Sequence, residues 1–221
     1  GRAAFDDLPA ALAGADAVHV IAPNLHPDEP GYVSAVLAAA QQVGVGRLVY
    51  HSVASPYVPA MPHHLGKAVS EDLVRRSGLE WTILQPCAYT QNLLPALRAA
   101  EESGVLEVPY AVDQPFGMVD LLDVAATTAV VLTRPGHVGA TYELGGSALV
   151  TVADVAAAAG LTARRVPAPP DVHPWLQAMF DYYDDHGLPT GGVPLGALLG
   201  RAPASLGEVL SRELAGRSCQ G

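Results

Sequence analysis

The amino-acid sequence predicts an α/β fold in which helices cover a parallel, doubly wound sheet. Three observations lead to this prediction. Strand and helix patterns alternate through the first half of the chain, the strand segments are continuous apolar runs, and the connections between them are short. Continuous apolar strands suit a sheet that is buried on both faces, and right-handed crossovers then place helices on either side of it.

The first half of the chain supplies the alternating elements. A helical pattern over residues 7–14 ends at a glycine, which can terminate a helix. The predicted strands cover residues 17–22, 47–53 and 81–86. The predicted helices between them cover residues 31–43 and 62–77, and each is followed by a glycine. Pro62 fits the first turn of the second of these helices, where its missing N–H group costs nothing.

The second half of the chain continues the pattern less regularly. Helices are predicted over residues 90–103, 152–160, 170–186 and 205–216. Strands are predicted over residues 105–109 and 141–144, and residues 116–133 are predicted to be a strand that leads into a helix. The proline- and glycine-rich segment over residues 187–205 is predicted to be irregular.

The composition limits the partners of the chain. Its net charge of −10 repels phosphate backbones, so we expect no nucleic-acid binding. Cys87 and Cys219 lie far apart and lack the spacing of a disulfide framework, which favours a reducing, cytoplasmic location. We find neither a secretory signal pattern nor an apolar run of membrane-spanning length, so no membrane association is expected.

The eight histidines raise the question of a metal site. His51, His63 and His64 could cluster in space. The sequence contains neither an H-E-x-x-H nor a C-x-x-C motif, and no carboxylate has helical spacing to these histidines. We therefore expect no metal.

Polar residues follow each of the three predicted parallel strands. In doubly wound sheets, ligands bind beyond the carboxyl ends of the strands. These ends carry the segments at residues 22–24, 52–55 and 85–89, which include serine, asparagine and tyrosine side chains. The sequence therefore predicts that three polar loops meet along one edge of the sheet.

The segment PHHLGKAVSEDLV contains a histidine and a lysine four residues apart, His63 and Lys67. This spacing places both side chains on one face of the predicted helix, whereas His64 points about 100° away. Two interpretations stay open. The pair could be a catalytic site, or it could be one turn of an ordinary helix whose histidines have only structural contacts.

Several segments, in this order and spacing, resemble the NmrA-like branch of the atypical short-chain dehydrogenases. They are DAVHVIAP, RLVYHSV, H-x-x-x-K, SGLEWTILQPCAYTQNLL, GMVDLLDVA and TYELGG, and together they span nearly the whole chain. The resemblance implies a Rossmann-like NAD(P)-binding core over residues 1–145 and a small C-terminal region over residues 146–221 that caps the substrate. It also implies NADP or NAD as cofactor.

The resemblance implies roles for particular residues. His63 occupies the position of the family's catalytic tyrosine, Lys67 matches the lysine that holds the nicotinamide ribose, and Ser52 matches the serine that orients the substrate. The expected cofactor contacts are Pro23, Asn24, Ser52, Lys67, Pro86, Tyr89 and Asn92. The expected substrate contacts are His64, Tyr89 and Trp175. The simpler alternatives are that Asn92 caps a helix, that Tyr89 and the aromatic side chains near Trp175 pack in the core, and that Asp120 is a helix N-cap.

The sequence departs from the family at one motif. The family begins with a strand, a glycine-rich turn and a helix that approach the pyrophosphate, and no G-x-x-G-x-x-G pattern occurs in these 221 residues. Because the family's first strands and glycine-rich turn are missing, and the chain begins at Gly1 and not at Met, we expect a truncated sequence or a separate fragment. The alternative is a homodimer that covers the open edge of the strand at residues 17–22.

Three functions are compatible with this sequence. The first is an NAD(P)-dependent oxidoreductase that reduces a carbonyl, an imine or a conjugated double bond of a small apolar molecule. The second is a non-catalytic NADP sensor that regulates a partner protein. The third is a cofactor-free cyclase or isomerase that uses His63 as an acid–base group.

Titration of the 221-residue chain with NADPH, followed by nicotinamide fluorescence, separates these functions. We expect weak binding, because no glycine-rich turn approaches the pyrophosphate, together with NADPH oxidation when a carbonyl substrate is added. Binding without turnover would indicate the sensor. A chain that does not bind NADPH at all would contradict both and leave the cofactor-free enzyme or an incomplete chain.

Overall fold

The computed structural model describes residues 7–215, and Cys219 lies outside the described residues. The chain forms two compact units. The first contains described residues 7–85 together with Ala126–Tyr142, and the second contains Pro86–Ala125 and the chain from Glu143 onward. The predicted division at residue 145 stays a prediction.

The described residues form six strands and nine α-helices. The strands are β1 (Ala17–Val20), β2 (Arg47–His51), β3 (Glu80–Pro86), β4 (Val105–Val108), β5 (Ala140–Leu144) and β6 (Thr162–Arg165). The helices are α1 (Leu8–Leu12), α2 (Glu29–Val43), α3 (Pro62–Arg75), α4 (Leu94–Ser103), α5 (Leu121–Thr133), α6 (Val152–Ala158), α7 (Pro174–His186), α8 (Val193–Leu199) and α9 (Leu206–Ala215). A 3₁₀ turn over Thr90–Leu93 precedes α4.

The main sheet has the strand order β1-β2-β3-β5. Strands β1, β2 and β3 are parallel, with Ala17 opposite Arg47 and Arg47 opposite Glu80. These are the three parallel strands that the sequence predicts, and helices α2 and α3 are the two connections between them. Among the described residues, β1 is an edge strand, as the sequence predicts.

Helix α2 begins and ends with short local signals. The Asp28 side chain accepts a hydrogen bond of 2.9 Å from the Gly31 N–H group and so caps the first turn. Gly44 ends the helix in the left-handed region, with φ of 75°, a conformation that costs glycine no Cβ clash. The first cap fixes where the helix starts after the loop that follows β1, and the second fixes where it ends.

The core of the first unit lies between the parallel strands and helices α2 and α3. Its buried members come from β1, β2, β3, α2 and α3. They are Val20, Val33, Val36, Leu37, Leu48, Tyr50, Val74 and Ile83. Tyr50 is the one member with a polar group, which therefore needs a buried hydrogen-bond partner.

The second unit contains two elements that the sequence pattern does not predict. Strand β6 pairs in parallel with β4 although its sequence, TARR, has little apolar character. Helix α8 lies in the segment that was predicted to be irregular, and it is only one to two turns long, with a proline in its first turn and Gly200 after its last. Short elements with punctuating residues give weak periodicity, which is why pattern analysis overlooks them.

The predicted strand near residue 116 is wrong. Phe116 makes only isolated bridges, with Val150 and Leu188, and regular structure resumes at α5. Phe116 is instead part of an aromatic cluster in which its ring contacts Tyr183 at 5.2 Å and Tyr110 at 5.8 Å. Phe180 stacks on Tyr110 at 5.6 Å, so the packing alternative holds for Phe180 and Tyr183.

Asp120 stabilises the start of α5, as the sequence predicts. Its carboxylate accepts hydrogen bonds from Gln91 at 2.6 Å and from both terminal nitrogens of Arg212 on α9. Burial would raise the pKa of Asp120, but the hydrogen bonds from Arg212, Gln91 and the Leu122 N–H group outweigh it and lower the pKa. Asp120 therefore has a structural role.

None of the helices between residues 7 and 215 combines the length and the apolar character that crossing a membrane requires.

Two valines on helix α3 give a matched test of the core. Val74 is completely buried, whereas 53% of Val69 is exposed. We expect Val74→Ala to lower the free energy of unfolding by about 1–3 kcal/mol, because it removes buried methyl groups and leaves a cavity. Val69→Ala should change it by less than about 0.5 kcal/mol. Urea unfolding of both variants measures the difference, and equal effects would contradict the placement of this helix.

Candidate functional site

Helix α3 buries a polar face. Five of its six buried side chains are polar or ionisable: His63, His64, Lys67, Ser70 and Glu71, the sixth being Val74. A helix that packs on a sheet usually buries an apolar stripe, and lysine and glutamate are rarely buried unless they are paired. The predicted pair His63 and Lys67 thus belongs to a buried polar cluster and not to a solvated surface.

Lys67 forms a buried ion pair with Glu29, the first residue of α2. The ammonium nitrogen lies 2.8 Å from Glu29 Oε1, and the two residues are 8% and 2% exposed. The same oxygen accepts a 2.7 Å hydrogen bond from the hydroxyl of Tyr50 on β2. Burial, and then the charge of Glu29, raise the pKa of Tyr50 far above its ordinary value, so Tyr50 stays a neutral donor.

Ser52 is bound to a different carboxylate. Its hydroxyl donates a 2.6 Å hydrogen bond to Glu71 Oε1, which also accepts a 2.7 Å bond from the Gln85 amide. The other oxygen of Glu71 pairs with Arg75 at 3.1 Å, and Arg75 in turn donates to Thr141. Because the single hydroxyl hydrogen of Ser52 points at Glu71, its oxygen faces any other group as an acceptor.

His64 is fully buried next to the loop that follows β2. Its Nδ1 lies 3.2 Å from the carbonyl oxygen of Ser55, a contact in which Nδ1–H donates. The pKa of His64 is lowered to about 4, mainly by burial and to a smaller extent by His63 and Lys67, while the backbone hydrogen bonds act in the opposite direction. His64 is therefore neutral at pH 7. This burial favours the structural interpretation, and its predicted contact with substrate stays a prediction.

A second pair of histidines lies on neighbouring strands. The rings of His19 on β1 and His51 on β2 are 5.5 Å apart. Burial lowers the pKa of both, that of His51 to about 3, with smaller contributions from His19 and Lys67. Among the described residues no group of three or more His, Cys, Asp or Glu side chains is placed to hold a metal ion.

The loops beyond β1 and β2 have unusual backbone conformations. Leu25 and Ser55 are the only residues other than glycine with positive φ in the described chain, at 53° and 52°. This region costs an ordinary residue of order 1 kcal/mol, and such strain often occurs at binding sites. Pro23 and Asn24, which precede Leu25, are both exposed and so remain accessible as predicted cofactor contacts.

The remaining predicted contacts lie in the second unit. Pro86 is buried, and Tyr89 and Trp175 are half-buried. Burial raises the pKa of Tyr89 above its ordinary value. Asn92 is exposed, and α4 begins after Leu93 without a side-chain cap, so the alternative that Asn92 caps this helix is wrong. The predicted roles of these four residues in binding stay predictions.

The structure brings Lys67 together with groups that the sequence pattern does not predict. Ser52 and Lys67 are held by separate carboxylates, Glu71 and Glu29. The spacing of His63, Lys67 and Glu71, each four residues from the next, could have indicated Glu71. No local signal indicates Glu29, because it lies 38 residues from Lys67 and comes near it only through the packing of α2 against α3.

Comparison with known proteins identifies the family. The family described as NAD(P)H-binding matches residues 3–135, more than half of the chain. This chain belongs to the NAD(P)H-binding family. The predicted relationship to the NmrA-like branch of the atypical short-chain dehydrogenases is thereby confirmed.

Two proteins with sequences similar to this chain are reductases. An NAD(P)H azoreductase from Xenophilus azovorans is 36% identical over 160 residues, which are 72% of this chain and 55% of the relative. A (4-alkanoyl-5-oxo-2,5-dihydrofuran-3-yl)methyl phosphate reductase from Streptomyces griseus is 34% identical over 152 residues, 68% of this chain and 51% of the relative. The chain spans about half the length of the curated relatives it matches.

A solved structure with the same fold confirms the predicted fold class. It is an NADPH-dependent quinone oxidoreductase from Escherichia coli in complex with NADPH. The TM-score is 0.82 at 24% sequence identity, and the match covers 95% of this chain and 80% of that chain. The expected α/β fold with a doubly wound parallel sheet is therefore confirmed.

The described residues fit the nicotinamide ribose of a dinucleotide cofactor better than they fit its pyrophosphate. At the carboxyl edge of the sheet, the Lys67 ammonium has three hydrogen-bond donors and uses one of them on Glu29, so it retains donors for a ribose hydroxyl. The start of α2, the helix that follows β1, does not fit a pyrophosphate. Its N–H group at Gly31 already donates to the Asp28 carboxylate, which would also repel a phosphate.

The buried histidines make the stability of the chain depend on pH. Between about pH 6.5 and 4 the unfolded chain binds a proton at His64 that the folded chain excludes, so stability falls as the pH falls through this window. We expect His64→Asn, which keeps a donor near the Ser55 carbonyl, to remove about 2–3 kcal/mol of this loss. Urea unfolding at pH 7 and pH 4 measures it, and an unchanged difference in the variant would contradict a neutral His64.

Proposed function

We propose that this chain carries the nicotinamide end of an NAD(P)-dependent reductase of the atypical short-chain dehydrogenase type. The observation that carries the proposal is the buried polar face of α3, which holds His63 and Lys67 four residues apart. Burying these groups costs desolvation energy that a purely structural helix would avoid with apolar side chains. A binding or catalytic role gives a reason for that cost.

Lys67 is the proposed ribose-binding residue. Its ammonium lies beside Glu29 and above the Tyr50 ring, 6.0 Å from the ring centroid. The donors that are not directed at Glu29 suit the hydroxyl oxygens of a ribose. The bound nicotinamide would supply a hydride to the substrate.

His63 is the proposed proton donor. It occupies the position of the family's tyrosine, in the first turn of α3, and its ring lies 6.2 Å from that of His64. A helix start stabilises negative charge, so the imidazole N–H group would donate a hydrogen bond toward a developing alkoxide. The Ser52 hydroxyl donates to Glu71, so we propose that Ser52 orients the ligand by accepting a hydrogen bond from it.

The proposed substrates are small apolar molecules with a carbonyl, an imine or a conjugated double bond. The azo, quinone and dihydrofuranone groups in the names of the related reductases are all electron-poor π systems that accept two electrons and protons. Half-buried Trp175 and Tyr89 of the second unit are the proposed apolar contacts, and Pro23, Asn24, Pro86 and Asn92 are the further proposed cofactor contacts.

The proposal extends to the domain division, the location and the oligomeric state of the protein. The division into a core over residues 1–145 and a capping region over residues 146–221 is proposed, as are a cytoplasmic location and a homodimer. Among residues 7–215 no strand pairs with the outer side of β1, and Ile21 just beyond it is 53% exposed, which supports a dimer because an unpaired apolar edge invites pairing.

A non-catalytic NADP sensor is the second candidate, because histidine is a weaker proton donor than the tyrosine that the family places here. In the sensor, NADPH would bind without being oxidised. The two candidates share the role of Lys67 and differ in that of His63.

Substitution of His63 tests the proposed chemistry. We expect His63→Phe to lower kcat for the NADPH-dependent reduction of a quinone by about 100-fold, the usual size of a general-acid effect, with little change in the KM for NADPH. His186→Phe, at an exposed position in the second unit, is the control and should leave kcat unchanged. Unchanged turnover in His63→Phe would remove the proton-donor role, and wild-type binding without turnover would favour the sensor.

A further inference from the structure

The charge partner of Lys67 comes from outside its own helix. Glu29 lies at the first position of α2, where the helix dipole favours a negative charge, and is almost completely buried. Its Oε1 atom accepts from Tyr50 on β2 and from Lys67 on α3, at 2.7 and 2.8 Å. One carboxylate oxygen therefore joins three separate elements of the first unit.

The nearer acidic residue in the sequence is already engaged. Glu71 lies four residues after Lys67 on α3, at a spacing that would allow an ion pair. Its two oxygens are occupied by Ser52, Gln85 and Arg75. Glu29 is consequently the group that balances the buried ammonium of Lys67.

We propose that Glu29 is a positioning residue that fixes the Lys67 ammonium in the orientation in which it binds the nicotinamide ribose. The inference rests on the proposed function. A lysine side chain has a flexible four-carbon stem, and its ammonium can rotate freely. The Glu29 carboxylate, itself held by Tyr50, takes one of the three N–H donors and so fixes where the other two point.

This arrangement has a consequence that a merely structural ion pair lacks. If Glu29 acts on the cofactor only through Lys67, then removing Glu29 has no further effect on NADPH affinity once Lys67 is gone. Two residues that support the fold independently would instead weaken binding additively. A double-mutant cycle distinguishes the two cases.

The experiment measures NADPH affinity by fluorescence for the wild type, Glu29→Gln, Lys67→Met and the double variant. We expect each single variant to bind about 10- to 100-fold more weakly, the size of one charged hydrogen bond. The double variant should match Lys67→Met within about twofold. Glu29→Asp, which keeps the carboxylate, should bind more tightly than Glu29→Gln.

Two further variants, Tyr50→Phe and an exposed control pair, accompany the double-mutant cycle. Glu29→Gln leaves a buried ammonium without a counter-charge and can unfold the chain, whereas the double variant removes both charges. Tyr50→Phe removes one donor from Glu29 and should weaken NADPH binding only when Lys67 is present. The control is Asp72→Asn with Arg76→Met, an exposed ion pair on α3, which should leave the affinity unchanged.

The outcomes separate this inference from the proposed function. If Lys67→Met weakens binding but Glu29→Gln does not, or if the two effects add in the double variant, Glu29 does not position Lys67 and the ribose-binding role stands. If Lys67→Met binds NADPH as the wild type does, the ribose-binding role fails and the positioning role fails with it.

Discussion

Compensation of buried charge on helix α3 is the constraint on which the candidate site depends. Lys67 and Glu71 lie one turn apart, and each is neutralised by a partner, Glu29 and Arg75 respectively. Removing one member of a buried pair leaves an uncompensated charge at a cost of about 3–5 kcal/mol. The position of α3 against β2 and α2 is therefore tied to the groups that we propose to bind the cofactor.

Burial keeps the groups around these pairs uncharged. His51 and His64 have pKa values of about 3 and 4 and stay uncharged at neutral pH, and Tyr50 stays protonated. The ammonium of Lys67 thus faces neutral rings and a single balancing carboxylate. Once the charges are balanced, the direction of each hydrogen bond also limits which ligand groups a side chain can bind. Ser52 shows this, because its bond to Glu71 makes it an acceptor toward any ligand.

Sequence reasoning predicts the regular part of the fold and one face of the site. The continuous apolar strands around Val18, Val49 and Ile83 and the helices between them predict that the three strands are parallel. The spacing of His63 and Lys67 is readable because helix geometry is local. Strand β6 and helix α8 were missed, since a four-residue polar strand and a seven-residue helix carry almost no periodicity.

What the sequence alone determined is the class of the fold, the parallel direction of β1, β2 and β3, and the helix face shared by His63 and Lys67, because each follows from patterns along the chain. The partners of those residues were decided only by tertiary structure. Glu29 meets Lys67 across 38 residues, and Ser52 turns its hydroxyl to Glu71 because the ends of β2 and β3 lie against α3. Contacts between distant segments depend on how elements pack, and no pattern within either segment encodes them.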